Sequence, residues 1–287
     1  MSYIEFLEIM AEILRKELPQ AAIEIAKVEK VQNGTYTGIS VKKENCAVCF
    51  NAMDLYERYE EDSGALETLA REAVRRAREG LKSIPKIQME RFTDYGWVKD
   101  HLAVQLIPAE RNIQVLKTVP HRLFLDLAAV LRIDAGGNAS ALVTKSMLDS
   151  FGVTEDQVFE DALRSHGKNL KPVLRNMSSV LDSLSQGSRK TPESPLWVAT
   201  NDKQIWGASA MMFSDFLKEA SLKLGGSFFI LPSSVHEVLL AGEDAPFSAD
   251  ELRSVVRRVN AFEVSDEEFL SDEVYRYDAG EGKISIE

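Results

Sequence analysis

The chain has 287 residues, of which 34 are Lys or Arg and 45 are Asp or Glu, giving a formal net charge of −11. Its 45% apolar and 28% charged residues are ordinary values for a globular protein, and they exclude a fibrous or low-complexity chain. The acidic balance argues against a general binder of nucleic acid or anionic membranes.

The negative charge is concentrated near one end of the sequence. Between Glu263 and Glu287, nine acidic residues stand against Arg276 and Lys283, so this segment carries −7 and the other 262 residues carry −4. The body of the chain is therefore nearly neutral. We expect the C-terminal segment to be a distinct acidic element that docks on a basic surface of a partner.

The N-terminal sequence is amphipathic and does not resemble a secretory signal. Glu5, Glu8 and Glu12 interrupt its apolar residues, whereas a signal peptide has an unbroken apolar region after positive charge. No apolar run approaches the roughly 18–20 residues of a membrane span. Only two cysteines are present, too few for a disulfide scaffold. The sequence predicts a cytoplasmic protein with no membrane segment.

Helices and strands alternate in the first part of the chain. Apolar residues at helical spacing predict an amphipathic helix over 3–18. Two alternating stretches flank Asn33-Gly34 and predict a β-hairpin, and CAVCF (46–50) adds a strand. Residues 54–81 are again helical, with a basic row opposite the apolar face. The row consists of Arg71, Arg75, Arg78 and Lys82.

The rest of the chain is richer in strand patterns. FLDLAAVLRI (124–133) is the most apolar strand candidate, and helices are expected over 145–151 and 154–163. Residues 183–195 are rich in Ser and Pro and predict a mobile loop or linker. After them we expect the order strand–strand–helix–strand–strand–helix, in which QIWGASAMM (204–212) is the second strand.

Strands follow strands through turns of hairpin length, which predicts an α+β fold. The sheets are expected to be mostly antiparallel, with flanking helices, because parallel sheets need long crossovers. We divide this single family domain into two lobes, residues 1–115 and 116–287.

Two polar clusters supply the candidate catalytic residues. LPSSVHEV (231–238) gathers two hydroxyls, an imidazole and a carboxylate, the groups that a serine hydrolase uses. PHRLFLDLA (120–128) places an aspartate in an apolar run, where a buried carboxylate needs a partner such as the neighbouring arginine. No glycine flanks either serine to form a nucleophile elbow, so a tight turn and an ion pair are the simpler interpretations. The candidates are Ser233, Ser234, His236, Glu237, His121, Arg122 and Asp126.

Metal and phosphate chemistry has weaker support. Cys46 and Cys49 have the spacing of a metal or redox pair, but no second cysteine pair completes a structural zinc site, and two core-facing residues are the simpler interpretation. The basic row on helix 64–82 can contact phosphate or nucleic acid, although interspersed glutamates make a salt-bridged, solvated face equally consistent. Walker, dinucleotide and zinc-protease motifs are absent, so we expect no cofactor and no metal.

Several blocks of the sequence resemble a bacterial family of unknown function that is common in gut Clostridia and often lies near mobile-element genes. The blocks are PHRLFLDLAAVLRI, VTKSMLDSFGVTEDQVFEDAL, WVATNDKQIWGASAMM, FFILPSSVHEVLL and VNAFEVSDEEFLSDEVYRYD. The resemblance covers residues 1–278. It implies a cytoplasmic bacterial protein and assigns no catalytic residue.

The sequence thus favours a non-enzymatic binding or regulatory protein with a protein partner. Two alternatives remain. One is a hydrolase that uses the Ser/His/acid cluster of residues 233–237, and the other is phosphate or nucleic-acid contact through helix 64–82. Convergence of His121, Asp126, Ser234 and His236 around a pocket would favour the hydrolase, whereas their dispersal into separate packing sites would oppose it.

Overall fold

The computed structural model confirms the α+β class, with three sheets whose strand pairs are antiparallel. It falls into two compact units, Met1–Arg91 and Phe92–Glu287, each described here by itself. The described residues are 1–31, 34–43, 46–83, 89–136, 139–184 and 192–287.

The first unit packs three helices with a three-stranded sheet in the order β1-β2-β3. Its elements are α1 (Tyr3–Glu17), β1 (Ala22–Lys30), β2 (Gly34–Lys43), β3 (Cys46–Phe50), α2 (Met53–Glu61) and α3 (Leu66–Ser83). The predicted hairpin is confirmed, since β1 and β2 pair from Ala22↔Lys42 to Lys30↔Gly34, while Asn33 of the expected turn lies outside the described residues.

Sequence signals explain why α1 begins and which face it buries. Ser2 and Glu5 form a reciprocal capping box at its N-terminus, which satisfies main-chain N–H groups that the helix leaves open. Its apolar stripe packs into the core of this unit against residues of β2, α2 and α3. The buried residues of the stripe are Phe6, Leu7, Met10, Ala11 and Leu14.

The second unit contains two sheets. One has the order β4-β6-β5 with β7 also paired to β6, and the other has the order β13-β12-β10-β11-β9-β8. Their strands are β4 (Leu102–Pro108), β5 (His121–Phe124), β6 (Leu127–Gly136), β7 (Ala139–Leu142), β8 (Pro172–Asn176), β9 (Leu196–Asn201), β10 (Phe228–Ser234), β11 (Glu237–Gly242), β12 (Tyr275–Asp278) and β13 (Lys283–Ile286).

Helices of the second unit complete its core. They are α4 (Tyr95–Val98), α5 (Ile113–Thr118), α6 (Lys145–Phe151), α7 (Glu155–Asn169), α8 (Met177–Leu184), α9 (Ser214–Leu224) and α10 (Ala249–Phe262). One apolar cluster includes Leu131 of β6, Phe159 of α7 and Phe228 of β10, so residues of both sheets share a single core. Every residue of β4 is buried, including Gln105, the one polar side chain in its otherwise apolar sequence.

Two of the strand predictions are wrong. FLDLAAVLRI does not form one strand, because the chain turns at Leu125-Asp126 and returns as an antiparallel hairpin of β5 and β6. Leu125 has a φ of 58°, a left-handed conformation that apolar residues rarely adopt and that the pattern does not signal. QIWGASAMM contains a 3-10 turn over Gly207–Met212 in place of the expected second strand.

Contacts within the structure place the division between the units after Arg91, whereas the sequence pattern predicts it after residue 115. The difference arises because β4 pairs along its length with β6, which groups it with the second unit. Of the predicted loop 183–195, residues 185–191 lie outside the described residues. Across the described parts of the chain, no helix combines the length and apolarity needed to cross a membrane.

The acidic C-terminal segment is built into the second unit. β12 pairs with β10, and β13 pairs with β12. Val274 and Tyr275 are fully buried, and Asp266 forms an ion pair with Arg111 at 3.4 Å. The segment therefore contributes β12 and β13 to the six-stranded sheet and is not a separate element, while its docking on a partner stays a prediction.

Candidate functional site

The candidate serines and His236 lie at the β10–β11 hairpin. Ser234 Oγ accepts a hydrogen bond from the main-chain N–H of His236 at 3.0 Å, so this hydroxyl stabilises the turn. Burial raises the pKa of Glu237, a hydrogen bond from Ser233 opposes that shift, and the charge of Glu268 adds to it. Ser233, Ser234, His236 and Glu237 are thus close in the chain. However, Ser234 bonds the main chain of the turn and Ser233 bonds the Glu237 carboxylate.

The hydrogen bonds of His236 are unsuited to activating a serine. Its Nδ1 accepts the main-chain N–H of Trp206 at 3.2 Å, so the neutral ring carries its proton on Nε2. A serine hydrolase needs the opposite tautomer, in which Nδ1–H donates to an acid and Nε2 takes the proton of the serine. Burial also lowers the pKa of His236, against the opposing charge of Glu268. This geometry fits a histidine that anchors the 206–208 segment.

A second histidine and serine, which sequence reasoning missed, meet inside the same unit. His166 on α7 accepts the N–H of Val104 at Nδ1 (3.0 Å), and its Nε2 lies 3.0 Å from Ser209 Oγ. The Ser209 hydroxyl donates to the Trp206 carbonyl at 2.7 Å. Burial lowers the pKa of His166 to about 4. Every polar atom of the pair is satisfied and Ser209 is fully buried, so this pair stabilises the fold.

Asp126 is not paired with Arg122, contrary to the expected ion pair. It accepts hydrogen bonds from Ser271 Oγ at 2.6 Å and from Tyr275 Oη at 2.7 Å. Burial, together with the Asp126 carboxylate, raises the pKa of Tyr275 far above its usual range. Arg122 instead reaches Asp156 at 2.9 Å. Asp126 therefore joins the β5–β6 turn to the C-terminal segment.

We expect Asp126→Ala to lower the free energy of unfolding by about 2 kcal/mol, because it leaves two buried hydroxyls without their charged acceptor. Asp156→Ala is the matched control, since Asp156 also holds a partner but its side chain is 89% exposed. That change should cost less than about 0.5 kcal/mol. Urea unfolding of both variants measures the difference, and equal losses would contradict this role for Asp126.

The remaining candidates have separate neighbours. His121 Nδ1 lies 3.2 Å from the Val119 carbonyl. Within the described residues, no side chain–side chain hydrogen bond or ion pair joins His121, Asp126, Ser234 and His236, and the one bond among them runs from the main-chain N–H of His236 to Ser234 Oγ. These contacts give the hydrolase interpretation no geometric support.

The cysteine pair is only partly described. Cys49 on β3 is a half-buried free thiol opposite Ser40, whereas the side chain of Cys46 lies outside the described residues. Among the side chains that the structure describes, no three His, Cys, Asp or Glu are placed to hold a metal ion.

A groove in the first unit is a concave candidate site. It has a volume of about 880 Å³, within the range of pockets that bind ligands, and lies between α1 and the outer face of α3. Apolar side chains of both helices form its floor and charged side chains form its rim. The floor consists of Ile13, Leu66, Ala70 and Val74, and the rim consists of Glu17, Glu67, Arg71, Arg75, Arg78, Glu79 and Lys82.

The basic row of α3 forms one side of this groove. Residues spaced by four and three positions share a face of the helix, and the lining from Leu66 to Lys82 extends about 24 Å at 1.5 Å per residue. Three of the four cations are paired: Arg71 with Glu67 at 3.4 Å, Arg75 with Glu79 at 3.0 Å, and Arg78 with Glu17 at 2.9 Å. These ion pairs are exposed, so each contributes little stability and exchanges readily for another carboxylate.

Sequence reasoning identified the basic row but missed the groove beside it. The sequence predicted an apolar face on α3 opposite the basic row, but Leu66 of that face is only partly buried and lines the groove. The other side of the groove is formed by Ile13 and Glu17 of α1, which lie one helical turn apart. Their approach to α3 depends on tertiary packing, for which the sequence carries no local signal.

Comparisons with known proteins give a family and no activity. A family model described as "Family of unknown function (DUF5688)" matches residues 3–279. No curated protein matches the chain, and no solved structure matches it.

Proposed function

We propose that this chain, which belongs to the family of unknown function DUF5688, is a binding protein whose first unit receives an amphipathic, acidic segment of a protein partner. The observation that carries the proposal is the groove between α1 and α3, with its apolar floor and its row of cations. An amphipathic helix lays its apolar side chains into such a groove, and its flanking charges meet the rim.

The rim favours an acidic partner over a phosphate backbone. Four cations and three carboxylates line the groove, so its formal charge is only +1. Nucleic acid would bring phosphates against Glu17, Glu67 and Glu79 without filling the apolar floor. A helix with leucines on one face and glutamates beside them suits both the apolar floor and the charged rim. Its leucines fill the floor, and its carboxylates can replace those three glutamates as partners of the arginines.

The proposed setting is the cytoplasm of a bacterium. The sequence resemblance supports this, as does the use of cysteine: two residues in 287, with Cys49 unpaired, suit a reducing compartment. Neither the fold nor the groove requires a cofactor for the proposed binding.

A designed peptide tests the groove. The probe is a labelled helical peptide of about 14 residues with leucine at i, i+3, i+4 and i+7 and glutamate beside them. We expect it to bind the full chain, as measured by fluorescence anisotropy, and to bind at least about tenfold more tightly than the same peptide with lysine in place of glutamate. Equal binding of the two peptides, or preferential binding of an RNA oligonucleotide, would overturn the proposal.

Replacing Ile13 with glutamate is expected to weaken binding of the acidic peptide by about tenfold or more, because it places a carboxylate on the apolar floor beside Glu17. Ile4→Glu is the matched control, since Ile4 is on the same helix, is 48% exposed and does not line the groove. It should leave the affinity unchanged. Circular dichroism of both variants verifies folding, and equal losses of affinity would place the peptide elsewhere.

A further inference from the structure

A half-buried arginine in the second unit has no carboxylate partner among the residues that the structure describes. Arg132 on β6 donates from Nε to Gln105 Oε1 at 2.8 Å and from Nη1 to Ser140 Oγ at 3.3 Å. Both acceptors are neutral. Of the carboxylates in the described part of the chain, none forms an ion pair with it, and burial lowers its pKa.

In the described part of the chain, the other partly buried arginines all have carboxylate partners. The side chains of Arg76, Arg253 and Arg276 are 29%, 23% and 27% exposed, and each forms an ion pair, with Asp54, Asp250 and Glu243 respectively. A cation withdrawn from water is costly unless a counter-charge compensates it. Arg132 departs from this pattern.

The neighbouring charges do not supply the missing anion. Asp134 shares the face of β6 with Arg132, but its carboxylate binds Lys203 at 3.0 Å and accepts the N–H of Gly136 at 2.9 Å. Arg132 and Lys203 are thus two cations beside a single carboxylate, that of Asp134. The guanidinium has five N–H donors, of which Gln105 and Ser140 take two. The remaining donors form the fork that binds an oxyanion through two parallel hydrogen bonds.

The indole of Trp206 lies beside this position, and hydrogen bonds hold its main chain. Its ring centroid is 5.9 Å from Arg132 Cζ. Trp206 has a φ of 52°, and its main chain is fixed by bonds to His236 and Ser209. A non-glycine residue keeps such a conformation only where its surroundings enforce it, as in ligand clamps.

We infer that Arg132, Gln105, Ser140 and Trp206 form a binding site for the oxyanion group of a small molecule, a carboxylate or a phosphate, held by the guanidinium fork. The site lies wholly in the second unit, so it stands independently of the proposed groove in the first. Partial exposure of Arg132 gives a small molecule access to the fork.

Titration with defined anions tests the site. The probes are sodium benzoate and inorganic phosphate, with sodium chloride at matched ionic strength as the reference, and thermal unfolding as the readout. We expect a saturable rise in Tm with one or both probes beyond that given by chloride. A response to benzoate alone identifies a carboxylate ligand, and a response to phosphate alone identifies a phosphate ligand. No saturable rise with either would overturn the inference.

Variants show whether Arg132 is responsible. Arg132→Gln should abolish the rise, and Arg132→Lys should weaken anion binding by about tenfold, because lysine keeps the charge and loses the fork. Arg175→Gln is the matched control, since Arg175 is 45% exposed and pairs with Asp202, and it should respond as the wild type does.

A measurement on the wild-type protein covers the case in which these variants fold poorly. The Nε–H signal of Arg132, followed by NMR, should shift on addition of the active anion. An unchanged signal at saturation, or an identical rise in Tm in Arg132→Gln, would contradict the site.

Discussion

Gly207→Ala is expected to destabilise the second unit by about 3 kcal/mol, a large change for the addition of one methyl group. A Cβ at this position would overlap the main-chain carbonyl of His236 and both the hydroxyl and the Cα of Thr200. Two of these three atoms belong to the backbone of neighbouring strand and turn segments, so the clash cannot be relieved by rotating a side chain. The backbone of the 206–208 segment must move instead.

The displacement would also break nearby hydrogen bonds. Thr200 Oγ1 donates to the His236 carbonyl at 2.8 Å, and the N–H of Ala208 donates to the Val235 carbonyl at 3.3 Å. Gly280→Ala is the matched control, because its Cβ would meet only a side-chain oxygen of Asp278 at 3.3 Å. Urea unfolding measures both variants. If Gly207→Ala lowers the free energy of unfolding no more than Gly280→Ala does, the backbone of the 206–208 segment can move at little cost, and the prediction is wrong.

Acidification is expected to remove about 3 kcal/mol of stability through His166 alone. Its pKa is about 4 in the folded protein and roughly 6.5 in an unfolded chain. Between these values the unfolded state binds the proton and the folded state does not, so stability increases with pH across this window. The contribution is complete above pH 6.5 and is lost as the pH falls towards 4.

The structure explains why this ring resists protonation. Nδ1 already accepts the N–H of Val104, so a proton there would break that bond and place a charge at a site that is 1% exposed. His236 adds to the effect with the same sign, because burial lowers its pKa too.

The pH dependence of urea unfolding tests this prediction. His166→Gln retains an acceptor and a donor but does not titrate, so its stability should depend less steeply on pH between 6.5 and 4.5. NMR titration of the wild-type imidazole gives the pKa directly. Equal pH slopes in both proteins, or an imidazole pKa near 6.5, would contradict the prediction.

Local patterns predicted much of the fold. Apolar spacing predicted the helix over 3–18, and two alternating stretches predicted the β1–β2 hairpin, and the structure confirms both. These features depend on a few neighbouring residues, which a single sequence displays. The α+β class followed from them, because short turns between strands require antiparallel pairing.

Long-range contacts explain what the patterns missed. The turn at Leu125 has a left-handed residue that carries no glycine or asparagine signal, and Asp126 finds its partners in Ser271 and Tyr275 rather than in neighbouring Arg122. The groove and the Arg132 site likewise combine residues from elements distant in sequence. The catalytic hypothesis depended on the mutual positions of His121, Asp126, Ser234 and His236, which periodicity does not specify.

The bonds of Asp126 also bear on the order of folding. They connect residues that are 145 and 149 positions apart in the chain, and the loops that they close carry a high entropic cost. The first unit needs no such closure, because β1, β2 and β3 pair with strands adjacent in sequence. Since local topology speeds folding, we expect the first unit to form early and the second to become cooperative only when β12 has joined its sheet.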